Sequence, residues 1–303
     1  MIEAISGHRP CVIEAIKLRG LPFAIRRWGR VGAPRLIFLH GMLDTSASWQ
    51  FVVDELQGDW EVIAPDLRGH GDSWWPRQSQ NLADMTADIA ALIEHVSPAD
   101  PVTLIGHSLG GAVAWTYAGT FPERVAELLI IDAIWAQPGP DGTMSERYAR
   151  WLKTALRGPN IRRYDSRAAI ASRLQNANPR LSPERASFLA DALARPAQEG
   201  GWTLAFDPWL SRELPVQQSL ADVSQFWRRV SAPVMWVGGR QSWVAEWLRV
   251  HSFRLEESLA AFARLTIRHI EDAGHNVHHD RPDSLAALIE NFLDEQRPHI
   301  AGS

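Results

Sequence analysis

Short apolar runs alternate with helix-spaced segments along most of the chain. Residues 12–18 and 22–28 predict two strands joined around Arg19-Gly20 as a hairpin. The run at 35–39 (RLIFL) stops at His40-Gly41 and reads as a buried strand. Helical spacing follows at 48–56, then a strand at 60–64 that ends on Pro65-Asp66. Apolar positions three and four residues apart predict an amphipathic helix over 82–96. Next come a strand at 102–106, a helix at 109–120 and a strand at 125–131. The rhythm resumes late, with strands at 234–237 and 265–270 and a closing helix at 282–293. Such alternation predicts an α/β fold with a mostly parallel sheet flanked by helices on both faces. No internal repeat and no low-complexity segment interrupts it.

The stretch from about 135 to 229 breaks the pattern. It is helical in flavour, punctuated by Pro and Gly, and divides the chain into a core of residues 1–134 and 230–303 and an inserted helical cap of 135–229. The charge divides with it. Residues 138–229 carry fourteen basic against nine acidic side chains, net +5, which leaves −9 for the rest of a chain whose total is −4. Solvated helix faces account for this excess; a basic lid over an anionic substrate or carrier is the sharper alternative. A composition 46% hydrophobic and 22% charged suits a large globular core, and the net charge gives no polybasic signal for nucleic acid. Cys11 is the only cysteine, which excludes an internal disulfide and a Cys-clustered zinc site. The first eleven residues lack the basic and apolar regions of a secretory signal. No apolar run approaches the ~20 residues of a membrane helix. The expectation is a soluble cytoplasmic protein with no membrane partner. The fourteen tryptophans suggest aromatic packing or an apolar pocket.

Gly106-His107-Ser108-Leu109-Gly110 follows a predicted strand and opens a predicted helix. This is G-x-S-x-G in the strand–turn–helix setting that gives it meaning. The turn is tight, so small residues must flank the serine, and the helix N-terminus brings positive potential to a developing oxyanion. On these residues the chain resembles the α/β-hydrolase fold family, over nearly its whole length. Three further segments carry the resemblance: His40-Gly41-Met42 at the family's oxyanion-hole loop, residues 66–73 (DLRGHGDS), and residues 274–282 (GHNVHHDRP). The resemblance implies an oxyanion hole made by the backbone N–H groups of Leu109 and Met42. It leaves His40 and His107 as structural residues.

Serine needs a base, and histidine titrates near neutral pH. His275 follows the last predicted strand and lies C-terminal to Ser108, the order the family requires. His278 and His279 are close enough to compete, but the family match puts the base directly after Gly274. No acidic partner motif accompanies these three histidines, so no metal site is expected there. The acid departs from the commoner family pattern, because Gly238-Gly239-Arg240-Gln241-Ser242-Trp243 offers no carboxylate after the penultimate strand. Asp132 ends the strand before the insertion, on the sheet edge that carries Ser108 and His275. A subgroup of the family keeps its acid there, and residues 239–243 resemble that subgroup. Glu246 is the alternative acid, and an N-cap is the alternative role for Asp132. Arg68 and Asp72 are expected to brace their loop by ion pairing. Asp44, Trp135 and Trp243 are the candidate pocket residues, with Trp151, Trp202, Trp209, Trp247, Phe188 and Phe206 available around them.

The resemblance implies a serine esterase or thioesterase that works through an acyl-enzyme, with no cofactor and no metal. Its substrate would be a small molecule with a largely hydrophobic acyl group, on an anionic carrier if the basic lid docks one. A serine at this position argues against haloalkane dehalogenase or epoxide hydrolase activity, which use aspartate in this fold. Carbon–carbon bond hydrolases, lactonases, hydroxynitrile lyases and perhydrolases remain rivals with the same triad. A ligand receptor on the hydrolase fold is the rival from another class.

Overall fold

The computed structural model describes residues 2–3, 7–79, 81–134, 142–159, 161–210, 215–216, 218–250 and 254–297. The strands β1 (Ile2–Glu3), β2 (Cys11–Leu18) and β3 (Leu21–Trp28) form an antiparallel edge, with β2 and β3 hairpinned around Arg19-Gly20. Next along the chain come β4 (Arg35–Leu39), α1 (Gln50–Glu55), β5 (Glu61–Pro65), α2 (Leu82–Val96), β6 (Val102–His107), α3 (Leu109–Thr120) and β7 (Val125–Ile131). Between β7 and the next sheet strand lie α4 (Met144–Arg157), α5 (Arg167–Ala177), α6 (Pro183–Leu193), the small antiparallel pair β8 (Ala194–Pro196) and β9 (Trp202–Leu204), and α7 (Leu220–Trp227). The chain closes through β10 (Val234–Gly239), α8 (Trp243–Val250), α9 (Leu255–Leu259), β11 (Leu265–Ile270), α10 (Val277–Asp280) and α11 (Pro282–Gln296).

The strand order is β1-β2-β3-β5-β4-β6-β7-β10-β11, and the run from β5 to β11 is parallel throughout. Within this run β5, β6 and β10 are buried from end to end, as crossover helices on both faces require. Period-two alternation divides their side chains between two cores. Ile37, Leu39, Leu104, Leu128 and Ile130 pack on one side with α2 and α3. Leu36, Phe38, Ile105, Leu129 and Ile131 pack on the other with α1 and α11. β7 and β10 are hydrogen-bonded neighbours, so α4 to α7 form an excursion from one point of the sheet. Among the described residues, no helix is long and apolar enough to cross a membrane.

The excursion is anchored on the loops at the carboxyl edge of the sheet. Asp207, 1% exposed, accepts the N–H of Arg77 at 2.5 Å, while its own N–H donates to the carbonyl of Gly69 at 2.7 Å. Arg195 pairs with Asp72, and Asn178 donates to Asp280 at 2.6 Å. Arg68 turns instead to Asp88 of α2, with contacts of 2.5 and 2.8 Å. Both residues expected to brace this loop do pair, then, but each with a partner from another element rather than with each other.

Candidate active site

In the sheet β4 neighbours β5 on one side and β6 on the other, while the chain visits β5 first. Loops leaving the carboxyl ends of β4 and β6 therefore diverge, which opens a crevice at this point of an α/β sheet. Ser108 stands in that crevice between β6 and α3. Its backbone adopts φ 49° and ψ −114°, a conformation that costs a non-glycine residue about 1–3 kcal/mol. Neighbouring contacts impose it. The Ser108 N–H donates to the carbonyl of Ile131 at 3.0 Å, and its carbonyl accepts from Ala112 at 3.1 Å. A Cβ on Gly106 would lie 2.4 Å from the Gly110 carbonyl oxygen, and one on Gly110 would lie 2.2 Å from that of Leu39. Only glycine fits either position. Leu109 is the first residue of α3, so its N–H has no acceptor within the helix.

Two buried histidines shape the loop after β4. The His40 Nε2 accepts the N–H of Leu67 at 2.9 Å, so Nδ1 carries the proton and donates to the Gly41 carbonyl at 2.8 Å. The His70 Nε2 accepts the N–H of Leu43 at 3.2 Å, and its Nδ1 donates to Arg68 at 3.0 Å. Each ring thus serves backbone groups as one fixed neutral tautomer. Burial lowers the pKa of both, that of His70 to about 3. His107 is also buried and neutral, and its Nε2 donates to the carbonyl of His275 at 2.9 Å. His40 and His107 hold the backbone.

His275 follows β11 in a loop closed by the Gly274 N–H donating to Asp280 at 2.8 Å. Its Nδ1 lies 2.7 Å from the Oδ2 of Asp132, which is 1% exposed at the end of β7. The segment after β10, which offers no acid, supplies donors to this one. Asp132 accepts the N–H of Gly239 at 3.2 Å and the hydroxyl of Ser242. A Cβ on Gly239 would lie 2.3 Å from the carbonyl oxygen of Gly274, so glycine is what lets the two loops meet. Glu246 lies on α8, exposed and paired with Arg249.

Ser108, Asp132 and His275 line one cavity of about 230 Å³. Its apolar wall includes Met42, Trp115, Ile134, Trp243 and Trp247. The Trp243 ring sits 4.9 Å from that of His275. Trp115, which no sequence motif singles out, lies seven residues after Ser108, two helical turns along α3. Trp151, Trp202 and Trp209 are not among the lining residues, and Trp135 lies outside the described residues. Asp44 differs from its expected role. It is buried beneath the crevice, 7% exposed, and its carboxylate faces Ser48, Thr45 and His278 rather than the cavity.

Residues 34–282 match the family model described as the alpha/beta hydrolase fold. The chain belongs to the α/β-hydrolase family. Human epoxide hydrolase 4 is 35% identical over 119 residues, 39% of this α/β-hydrolase and 33% of that protein. The sn-1-specific diacylglycerol lipase ABHD11 of Xenopus laevis is 28% identical over 272 residues, 88% of this chain and 81% of that one. Among solved structures, the thioesterase domain from the curacin biosynthetic pathway superposes with a TM-score of 0.79 at 25% identity, covering 92% of this chain and 99% of that one. The chain spans only 33–43% of the length of curated relatives that it matches at 35–39% identity.

Proposed function

We propose that this α/β-hydrolase is a serine hydrolase that cleaves an ester or thioester of a largely hydrophobic acyl group. Ser108 Oγ attacks the acyl carbon and passes its proton to the imidazole of His275. Asp132 holds the ring in the tautomer that can accept it and stabilises the imidazolium. The backbone N–H groups of Met42 and Leu109 hold the oxyanion. His275 then protonates the departing alcohol or thiol, leaving an acyl-enzyme. Water, deprotonated by His275, releases the acid and restores Ser108. Residues 135–229 act as the cap.

The observation that carries this reading is a strained serine and a carboxylate-paired histidine on one apolar cavity. The apolar wall favours a hydrophobic acyl group. The net +5 of residues 138–229 and the likeness to a thioesterase domain favour an anionic carrier as a second reading for the leaving group.

Two measurements test it. A fluorophosphonate probe is expected to label wild type at Ser108 and to leave Ser108→Ala unlabelled; labelling of both at one rate overturns the nucleophile. One acyl chain is then offered as an oxygen ester and as a coenzyme A thioester at two salt concentrations. A salt-sensitive preference for the thioester selects the carrier reading. A preference for the neutral ester selects a carboxylesterase. Labelling without turnover of either moves a carbon–carbon bond hydrolase or a ligand receptor to the front.

A further inference from the structure

Behind the crevice lies a buried polar cluster that the proposed chemistry does not use. Asp44, His107, His278 and His279 are 7%, 2%, 0% and 8% exposed. Asp44 Oδ1 accepts the N–H of Thr45 at 2.8 Å, and Oδ2 accepts the hydroxyl of Ser48 at 2.8 Å. That same Oδ2 lies 3.1 Å from His278 Nε2 and 3.7 Å from His279 Nε2. One ligating atom each from Asp44, His107 and His278 falls within 4.8 Å of the others. Three ring nitrogens in the cluster, His107 Nδ1, His278 Nδ1 and His279 Nε2, are buried with no hydrogen-bond partner among the described residues. Orphaned buried polar atoms are costly and call for an explanation; an ion held through His278 Nε2 gives one to His107 Nδ1 and His279 Nε2, while His278 Nδ1 is the non-ligating nitrogen of its ring.

We propose that Asp44, His107 and His278, with His279 beside them, form a binding site for a first-row divalent transition metal, with zinc as the reference ion. The donor set, imidazole with one carboxylate, is the one such ions take. Ligands at about 2.0–2.2 Å in a tetrahedron stand about 3.3–3.6 Å apart. The contacts of 3.1 and 3.7 Å from Asp44 bracket that spacing. His107 is already in the ligating tautomer. Its Nε2 donates to the His275 carbonyl at 2.9 Å, which leaves a lone pair on the unpartnered Nδ1. A backbone carbonyl on the far nitrogen is how metal-bound histidines are commonly oriented. No acidic partner motif accompanies the three C-terminal histidines along the chain. The fold brings one from 234 residues away.

The ion would tie together the loop after β4, the end of β6 beside Ser108, and α10 just after His275. Its effect would be to brace the elbow and the histidine loop, with no part in bond cleavage.

Full-length protein stripped with a chelator is titrated with cobalt(II), read by visible absorption, and then with competing zinc. One cobalt per chain is expected, displaced by zinc, with a zinc-dependent rise in Tm. Asp44→Asn and His278→Gln should each weaken binding by at least about 100-fold. No binding by wild type overturns the proposal and leaves a buried Asp–His pair. Binding that the two variants do not alter also overturns it, since the ion then sits elsewhere. Should the variants not fold, zinc-edge anomalous scattering from wild-type crystals decides. A peak between Asp44, His107 and His278 supports the site, and its absence there rejects it.

Discussion

Three donors, from Gly239, Ser242 and His275, meet at the carboxylate of Asp132, and changes there have measurable consequences. On the proposed mechanism, Asp132→Asn leaves the shape but inverts the hydrogen bond to His275, and kcat should fall by about 10⁴. Ser242→Ala removes one donor to that carboxylate, so kcat should drop about 10-fold, in line with a lost hydrogen bond to a charged group. Glu246→Gln, on an exposed ion pair, should match wild type. If Glu246→Gln is the variant that loses activity, the acid has been misassigned. His70 gives a pH prediction. Its pKa is near 6.5 in the unfolded chain and about 3 when folded, so the unfolded state binds more protons between these values. Its contribution to stability is complete above pH 6.5 and is lost as pH falls toward 3, by up to about 1.4 kcal/mol per pH unit. Urea midpoints measured between pH 7 and 5 should fall in wild type and fall less steeply in His70→Gln. Ser108 and His275 were legible because each sits in a local motif. The roles of Ser242 and His70 were not, because their partners lie 110 and 27 residues away.

The long elements lie where hydrophobic periodicity puts them. β4, α2, α3, β7 and β11 match the predicted bounds, since five or more consecutive residues share one packing environment. The short ones leave no such signal. The β8–β9 pair, α9 and α10 span three to five residues each, too few for a period to register. The loops between elements are decided by backbone contact, and glycine marks them. Gly110→Ala would set a methyl group 2.2 Å from the Leu39 carbonyl oxygen, which the buried strand cannot yield. The expected loss is about 3 kcal/mol in chemical denaturation, with a displaced Ser108 and slower probe labelling. Unchanged stability would mean that the elbow is more compliant than its contacts imply.

The molecule as a whole is a doubly covered, mostly parallel sheet with one long excursion pinned to its carboxyl edge. Asp207 is the main pin. Asp207→Ala strips the acceptor from the N–H groups of Arg77 and Trp209, and should cost about 1–3 kcal/mol locally. Hydrogen exchange should accelerate at 69–77 and 205–210 while β4, β6 and β7 stay protected. Uniform acceleration would instead show that excursion and sheet unfold together. The order of strands and helices, the tight turn at Ser108 and the loop carrying His275 could be read from the chain, because each depends on neighbours within a few residues. Periodicity and turn chemistry act at that range. Which acid meets His275, which tryptophans line the cavity, and what surrounds Asp44 depend on how distant loops settle at one sheet edge. Trp115, Ser242 and the His278–Asp44 contact come from packing between elements, and no local pattern encodes a contact across 234 residues.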